Sequence, residues 1–215
     1  MEQQRAVSIP SRLNRQHYTS LVNLLTDVCH RFADKPAFTS FGRSLSYGEL
    51  SELSAAFASY LQEHTELKPG DRIAIQMPNM IQYPVVLFGA LRAGLVVVNT
   101  NPLYTSAEMK HQFNDAGVKA IVIHKSMAHK LEPILSETPL QHLFITQIGD
   151  LHGLMQRTLL NSAIKYLKRM EPPFNLPGAI PLREALKRGD GHKLVDMSPR
   201  PEDLAVLQYT GGTTG

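Results

Sequence analysis

The most constraining feature of this sequence is an alternation of short apolar runs with amphipathic segments between residues 72 and 146. The segments between the runs carry apolar residues at helical spacing. Strands that alternate with helices in this way are typical of right-handed βαβ units. The sequence therefore predicts an α/β fold, with a mostly parallel sheet and helices on both faces. The four expected strands extend from Arg72 to Gln76, from Leu95 to Val98, from Lys119 to His124 and from Gln141 to Thr146.

Local signals place the boundaries of further elements. Ser46 with Glu49, and Thr105 with Glu108, have the spacing of capping boxes that open helices. Gly117 is expected to end the second of these helices. Other expected elements are a helix from Leu21 to Phe32, a hairpin of Ala37 to Phe41 with Arg43 to Tyr47, a helix capped by Asn79 that stops at Gly94, a helix from Ser126 to Ser136 and a helix from Leu182 to Arg188.

The last twelve residues combine a strand signal with a glycine- and threonine-rich segment. Leu204 to Leu207 is an apolar run expected to form a short buried strand, and the next residues are nearly all Gly or Thr. Glycines let a backbone approach a ligand closely, while threonine hydroxyls and free amide N–H groups are donors for phosphate oxygens. The composition fits either a phosphate-binding loop or a loose terminal segment. A P-loop kinase is disfavoured because no Gly-Lys-Ser/Thr follows.

Composition excludes several classes of function. The formal net charge is only +3, and no Lys/Arg stripe interleaved with aromatics indicates nucleic-acid binding. Cys29 is the single cysteine, so no internal disulfide forms, and its place on a helix face indicates buried packing. The first ten residues lack the apolar core of a signal peptide. The most apolar stretch, from Pro84 to Val98, is shorter than the ~20 residues of a spanning helix, which favours a cytoplasmic location.

The segment from Leu151 to Met170 has the pattern of a basic amphipathic helix. Its apolar residues recur at helical spacing, and four basic residues accompany them: Arg157, Lys165, Lys168 and Arg169. Such a helix can lie on an anionic membrane surface, in this case the inner face of the cell membrane. It can equally be a solvated helix packed on its own domain, because basic faces are common on protein surfaces.

Four motifs in this order resemble the adenylate-forming enzymes, which include acyl-CoA synthetases, luciferases and adenylation domains. The stretch from Tyr209 to Gly215 is similar to the first part of their Tyr-Thr-Ser-Gly-Thr-Thr-Gly signature, with Gly211 in place of the commoner Ser. The upstream elements are similar to the family's Tyr-x-Glu-Leu, Gly-Asp-Arg-Val and Ala-Gly-x-Val-x-x-x-x-Asn-Pro patterns; they lie at Tyr47 to Leu50, Gly70 to Ile73 and Ala93 to Pro102. Together they look like a bacterial long-chain fatty-acid–CoA ligase.

This resemblance implies a two-step reaction with ATP, Mg²⁺ and CoA. A fatty carboxylate attacks the α-phosphate of ATP to give acyl-AMP and pyrophosphate, and CoA then displaces AMP. By similarity, the loop that holds the β- and γ-phosphates is formed by Tyr209, Thr210, Gly211, Gly212, Thr213, Thr214 and Gly215. No catalytic or metal-binding residue is assigned within the chain, since the family's loop lysine, Mg²⁺ carboxylate, ribose-binding aspartate and catalytic lysine all lie beyond Gly215.

The resemblance also implies how the chain is organised. Residues 1–18 are expected to form a polar arm, and residues 19–215 an incomplete N-terminal AMP-binding domain truncated in the phosphate loop. We expect residues 1–215 alone to turn over no substrate and to bind nucleotide weakly, because the other groups are missing. An uncovered strand edge in such a piece favours self-association, so a homodimer is expected.

Two alternatives in function stay open. The enzyme can be an adenylating ligase for another carboxylate, such as a medium-chain or aromatic acid, or the chain can be a non-catalytic membrane- or partner-binding module. Tyr83, Phe88 and Tyr104 are candidates for the border of an acyl site, with core packing the favoured interpretation. His124 and His129, five residues apart near a strand end, are weighed as metal ligands and interpreted as ordinary histidines.

Overall fold

The computed structural model describes residues 18–164, 172–195, 197 and 199–210. Eight strands are present in this part of the chain: β1 Pro36–Ser40, β2 Arg43–Ser46, β3 Arg72–Gln76, β4 Val96–Asn99, β5 Val118–His124, β6 His142–Thr146, β7 Ile180–Pro181 and β8 Val206–Gln208. The α-helices described are α1 Leu21–Arg31, α2 Tyr47–His64, α3 Gln82–Arg92, α4 Ser106–Ala116, α5 Ala128–Leu131, α6 Leu154–Ser162 and α7 Leu182–Gly189. The predicted polar arm, apart from Tyr18, lies outside the described residues.

Six of the strands form one sheet in the order β7-β6-β5-β3-β4-β8, and every neighbouring pair in it is parallel. The strands β1 and β2 form a separate antiparallel hairpin, as predicted. The α/β class with a mostly parallel sheet is therefore confirmed. All carboxyl ends of the six strands meet at one edge, which is the edge where ligands bind in open α/β sheets.

Side chains on alternate positions of the central strands enter two separate cores. Ala120 and Val122 of β5 join the core that contains residues of α2, α3 and α7, and Phe57 of α2 packs edge-on against Phe144 of β6 at 5.5 Å. Ile121 and Ile123 join the core that contains residues of α4 and α5. Helices thus cover both faces, which is why the central strands are apolar on both sides.

Several local predictions are confirmed atom by atom. The Ser46 side chain accepts from the Glu49 N–H, and the Glu49 carboxylate accepts from the Ser46 N–H at 2.9 Å. Thr105 and Glu108 form the same reciprocal pair at the start of α4. Gly117 caps the end of α4 with a φ of 61°, a left-handed conformation that glycine adopts without strain.

Two helix predictions are wrong in detail, and a proline explains the second. Asn79 does not cap α3, whose N-cap is Ile81 with no side-chain hydrogen bond. α3 begins at Gln82, so Asn79 does not occupy the N-cap position, from which a side chain reaches the N–H groups of the second and third helical residues. The predicted helix from Ser126 to Ser136 is instead two 3₁₀ turns, Lys125–Met127 and Glu132–Glu137, on either side of α5. Pro133 interrupts the α-helical ladder there.

The strand predicted from Leu204 to Leu207 is shifted and less buried than expected. It begins at Val206, and Leu204 is exposed, while Val206 and Leu207 are half-buried. The reason is its place at the edge of the sheet, where β4 is its only strand partner among the described residues. The two-residue β7 was not expected, since a pair that contains Pro181 carries no strand period.

The predicted helix from Leu151 to Met170 is described in part. α6 covers Leu154–Ser162, and residues 165–170 lie outside the described part of the chain. Cys29 is 3 % exposed, which confirms its role in packing, and burial raises the pKa of its thiol. No described helix is both long enough and apolar enough to cross a lipid bilayer.

Candidate functional site

A row of polar side chains marks the carboxyl edge of the sheet. Five strands of the parallel sheet end on a polar residue, and these residues are Gln76, Asn99, His124, Thr146 and Gln208. Each of these residues comes directly after apolar residues of its strand. Because parallel strands end at the same edge, this row lies where the fold places ligands.

The predicted phosphate loop begins at this edge, directly after β8. Tyr209 is half-buried, packs against the core on the α4 side, and its hydroxyl donates to the Asp115 carboxylate. Burial, followed by this hydrogen bond and the Asp115 charge, raises the pKa of Tyr209 to about 12. Thr210 is exposed. The other predicted loop residues, Gly211 to Gly215, lie outside the described part of the chain.

A chain of hydrogen bonds joins β8 to the interior at the same place. The Tyr83 hydroxyl on α3 donates to the Asn99 amide oxygen at 2.7 Å, and the Asn99 amide nitrogen donates to the Gln208 amide oxygen at 2.8 Å. The backbone oxygen of Asn99 accepts from Gln112 of α4 at 3.0 Å. Sequence reasoning missed the roles of Asn99 and Gln208. The usable signal was a polar residue that ends an apolar strand at a ligand-binding edge.

His124 ends β5 with its ring almost fully enclosed. Its Nδ1 accepts from the Ser126 N–H at 3.2 Å, which leaves the proton on Nε2, a buried atom without a partner among the described residues. Burial, and then the charge of Lys125, lowers the pKa of His124 to about 4. The ring is therefore neutral at pH 7. No group of three His, Cys, Asp or Glu residues in the described ranges has a metal-binding arrangement.

A cavity of about 560 Å³ opens beside the ends of β6 and β7. Three basic side chains line it: Lys125, Arg157 and Arg183. Asp150, also on its wall, accepts from the Thr146 hydroxyl at 3.0 Å and from the Gln147 N–H at 2.8 Å. Burial raises the pKa of this carboxyl. The cavity is polar and basic, in contrast with the apolar surroundings of the aromatic candidates.

The three aromatic candidates for an acyl border belong to the core. Tyr83 and Phe88 pack against the core on the α3 side, and Tyr104 packs against the core on the α4 side. This confirms the interpretation of these rings as core packing. Tyr83 has an additional role, since its hydroxyl orients the Asn99 amide.

Several curated relatives of this chain are named long-chain-fatty-acid–CoA ligases. The chain is 49 % identical over 207 residues to a long-chain-fatty-acid–CoA ligase of Escherichia coli O157:H7, covering 96 % of this chain and 37 % of the relative. Ligases of the same name are 43 % identical in Haemophilus influenzae, over 94 % of this chain and 36 % of the relative, and 32 % identical in Bacillus subtilis, over 96 % and 37 %. The chain thus spans little more than a third of the length of these relatives.

Solved structures share the fold at low sequence identity. The anthranilate CoA ligase AuaEII, in complex with anthranoyl-AMP, superposes with a TM-score of 0.73 at 16 % identity, over 92 % of this chain and 33 % of that protein. A long-chain-fatty-acid–CoA ligase from Archaeoglobus fulgidus superposes with a TM-score of 0.67 at 24 % identity, over 92 % and 35 %. The family described as AMP-binding enzyme matches residues 25–215, and this chain therefore belongs to the AMP-binding enzyme family.

Proposed function

We propose that the protein to which this chain belongs activates long-chain fatty acids. The fatty carboxylate attacks the α-phosphate of ATP, acyl-AMP and pyrophosphate form, and the thiol of CoA displaces AMP to give acyl-CoA. The observation that carries this proposal is the 49 % identity over 207 residues to a ligase of that name. Because the chain spans 37 % of that relative, the activity is assigned to the longer protein.

In this proposal the residues from Tyr209 to Gly215 hold the β- and γ-phosphates of ATP. Two observations support the assignment: β8 delivers Tyr209 to the carboxyl edge of the sheet, and Thr210 is exposed there. Backbone N–H groups and the hydroxyls of Thr213 and Thr214 are the donors that phosphate oxygens require. Negative charge grows on the leaving pyrophosphate in the first step, so fixed donors at this position lower the barrier.

Mg²⁺ enters the proposal as an ion that accompanies the phosphates of ATP. No set of three acidic, histidine or cysteine ligands occurs in the described ranges. The resemblance to adenylate-forming enzymes carries this assignment of Mg²⁺, and it implies that the protein carboxylate for the ion comes from the remainder of the longer protein. CoA is a co-substrate of the second step.

An assay of the full-length protein tests the reaction type. With ATP, CoA and a C16 fatty acid, we expect acid-dependent release of AMP and pyrophosphate. Release of ADP would contradict adenylation. Thr214→Val should lower kcat/KM for ATP at least tenfold, because a hydroxyl donor to the phosphates is lost. Thr19→Val, a change at an exposed threonine before α1, is the matched control and should leave the rate unchanged.

The same assay separates the two rival functions. A higher kcat/KM for octanoate or benzoate than for the C16 acid would favour a ligase for another carboxylate. The AuaEII structure, which shares this fold, is that of an anthranilate CoA ligase. Absence of nucleotide turnover with every acid would favour the non-catalytic binding module.

We further propose that α6 makes a peripheral contact with an anionic membrane at the inner face of the cell membrane. Leu154, Met155 and Leu159 are 72 %, 85 % and 70 % exposed, and no residue of α6 is buried. An apolar helix face left in solvent, with Arg157 on the same helix and further basic residues after it in the sequence, suits the interface of anionic lipid.

Vesicle co-sedimentation of the full-length protein tests this contact. Binding is expected to vesicles that contain phosphatidylglycerol, and little to pure phosphatidylcholine. The triple variant Leu154→Ser, Met155→Ser, Leu159→Ser should lose binding while its thermal stability changes little, since each of these residues is at least 70 % exposed. The control variant Leu103→Ser changes a similarly exposed leucine, 82 % exposed, on the loop before α4. Equal loss in both variants, or no loss in either, would contradict a specific role of α6.

A homodimer is the last part of the proposal. Val206 and Leu207 of the edge strand β8 are half-buried, and the strand has one strand partner among the described residues, so residues 1–215 have a surface suited to self-association. Analytical ultracentrifugation at rising concentration should show dimer for residues 1–215. Monomer alone at the highest concentration would contradict it.

A further inference from the structure

The strand that leads into the Gly/Thr segment is weakly held by its own backbone and core contacts. β8 is three residues long and lies at the edge of the described sheet; Val206 and Leu207 are half-buried, and Gln208 is exposed. Its register with β4 pairs Val97 with Val206 and Asn99 with Gln208. A strand this short depends on side-chain contacts to fix the direction in which the chain continues.

Asn99 is, by contrast, held from three sides. Its side-chain oxygen accepts from the Tyr83 hydroxyl of α3, and its backbone oxygen accepts from Gln112 of α4. The next residue, Thr100, donates its N–H to the Ile75 oxygen of the central strand β3 at 3.1 Å. The side-chain amide N–H₂ of Asn99 donates to Gln208. Asn99 is therefore a rigid point on β4 to which the last residue of β8 is attached.

The end of β8 is fixed on both faces of the sheet. Gln208 lies on the α3 face and is bound by Asn99, whereas the next residue, Tyr209, lies on the α4 face and is bound by Asp115. Opposite faces follow from the period of two along a strand. These two hydrogen bonds, made by successive residues on opposite faces, restrict both translation and rotation of the backbone as it leaves the sheet.

We propose that Asn99, oriented by Tyr83, is a positioning residue that acts through Gln208 to set the direction of the nucleotide loop. This inference rests on the proposed role of the segment from Tyr209 to Gly215 in binding the phosphates of ATP. Donors for phosphate oxygens are effective only when their directions are fixed before the substrate binds. The pair Asn99–Gln208 supplies that preorganisation without touching the nucleotide.

Variants of the full-length protein test the proposal through substrate-selective kinetics. Gln208→Met removes the amide and keeps the length of an exposed side chain, so folding is not at risk. We expect the KM for ATP to rise about tenfold, the effect of one hydrogen bond of about 1.4 kcal/mol. The KM for the fatty acid and for CoA should not change. Tyr83→Phe, which keeps the ring in the core, should raise the KM for ATP by about threefold.

A double variant and a control make the result specific. Asn99→Leu and Gln208→Met break the same contact. The KM for ATP of the double variant should therefore rise about tenfold, not a hundredfold. The control is Gln62, which lies on α2 and away from β8. Gln62→Met removes an amide that makes two hydrogen bonds of 3.0 Å with the backbone of Val195. It should leave the KM for ATP unchanged. The positioning role would be overturned if the effects of Asn99→Leu and Gln208→Met on the KM for ATP were additive. An equal rise of the KM values for ATP, fatty acid and CoA would also overturn it.

Hydrogen exchange gives a readout that does not depend on activity. The amides of Tyr209 and of the segment after it should exchange faster in Gln208→Met than in the parent protein, while those of β3 are unaffected. Unchanged exchange would overturn the proposal even in a protein that forms AMP. If the parent protein forms no AMP, the proposed function fails separately, and faster exchange would still support the positioning role of Asn99.

Discussion

The central strands and the edge strand β8 of the same sheet differ in how deeply their side chains are buried. Ile121 of β5 and Val97 of β4 are fully buried between two layers of helices, whereas Val206 of β8 is half-buried. The polar residues that end these strands differ in the same way: His124 is 3 % exposed, and Gln208 is exposed.

This contrast shows that different interactions hold the central strands and the edge strand in place. The central strands are held by close packing, because their side chains contact helices on both faces of the sheet. The edge strand has few such contacts, so its position depends on directional hydrogen bonds from Asn99 and Asp115. We infer that the centre determines whether the domain folds, and that the edge determines where the loop after it points.

The largest expected effect comes from His124 at the end of a central strand. Burial lowers its pKa from 6.5 to about 4, so the folded state prefers the neutral ring. The stability that this preference supplies is present above pH 6.5 and is lost as the pH falls towards 4. A shift of this size corresponds to about 3 kcal/mol in the free energy of unfolding.

Urea denaturation at a series of pH values measures this effect. His124→Asn should flatten the acid side of the profile, since the Asn oxygen can still accept from the Ser126 N–H in place of Nδ1. His111→Asn, at an exposed position of α4, is the matched control and should keep the profile of the parent. A His124→Asn variant with the same pH dependence as the parent would mean that the centre is less enclosed than described.

The second test compares two valines that face each other in the register of β4 and β8. Val97→Ala should lower the free energy of unfolding by about 2 kcal/mol, because two methyl groups leave a closed core. Val206→Ala, on the same face one strand away, should cost about 1 kcal/mol or less, since its side chain is already half in solvent. Equal losses from urea denaturation would remove the distinction between centre and edge.

Sequence reasoning succeeded where structure is local. The bounds of β3 are those predicted, and both capping boxes form, because a cap depends on residues three positions apart. The βαβ alternation likewise predicted the parallel sheet, since only a few connections are allowed between such elements. The errors at Asn79 and between Ser126 and Ser136 were also local. The first arose because α3 begins at Gln82, too far along the chain for Asn79 to be its N-cap, and the second because the effect of Pro133 was overlooked.

Non-local features could not be predicted from the sequence. The apolar run from Leu204 to Leu207 predicts a strand but not its place at the edge, which depends on the order of the sheet. Asn99 and Gln208 are 109 residues apart, and no period connects them. The motif that contains Asn99 pointed to the family, while its contact with β8 emerged only from the fold.

The smallest effect is expected at the edge itself, in the pair Tyr209 and Asp115. Tyr209→Phe removes the hydroxyl that donates to Asp115, and Asp115→Ala removes the acceptor. A double-mutant cycle by urea denaturation should give a coupling of roughly 0.5 kcal/mol, because Asp115 is exposed and water competes for both groups. A coupling near 3 kcal/mol would mean that this contact contributes as much to the free energy of unfolding as packing does in the central strands. A weak coupling, together with faster exchange of the Tyr209 amide in Tyr209→Phe, would instead identify an interaction that orients the chain while adding little to the stability of the domain.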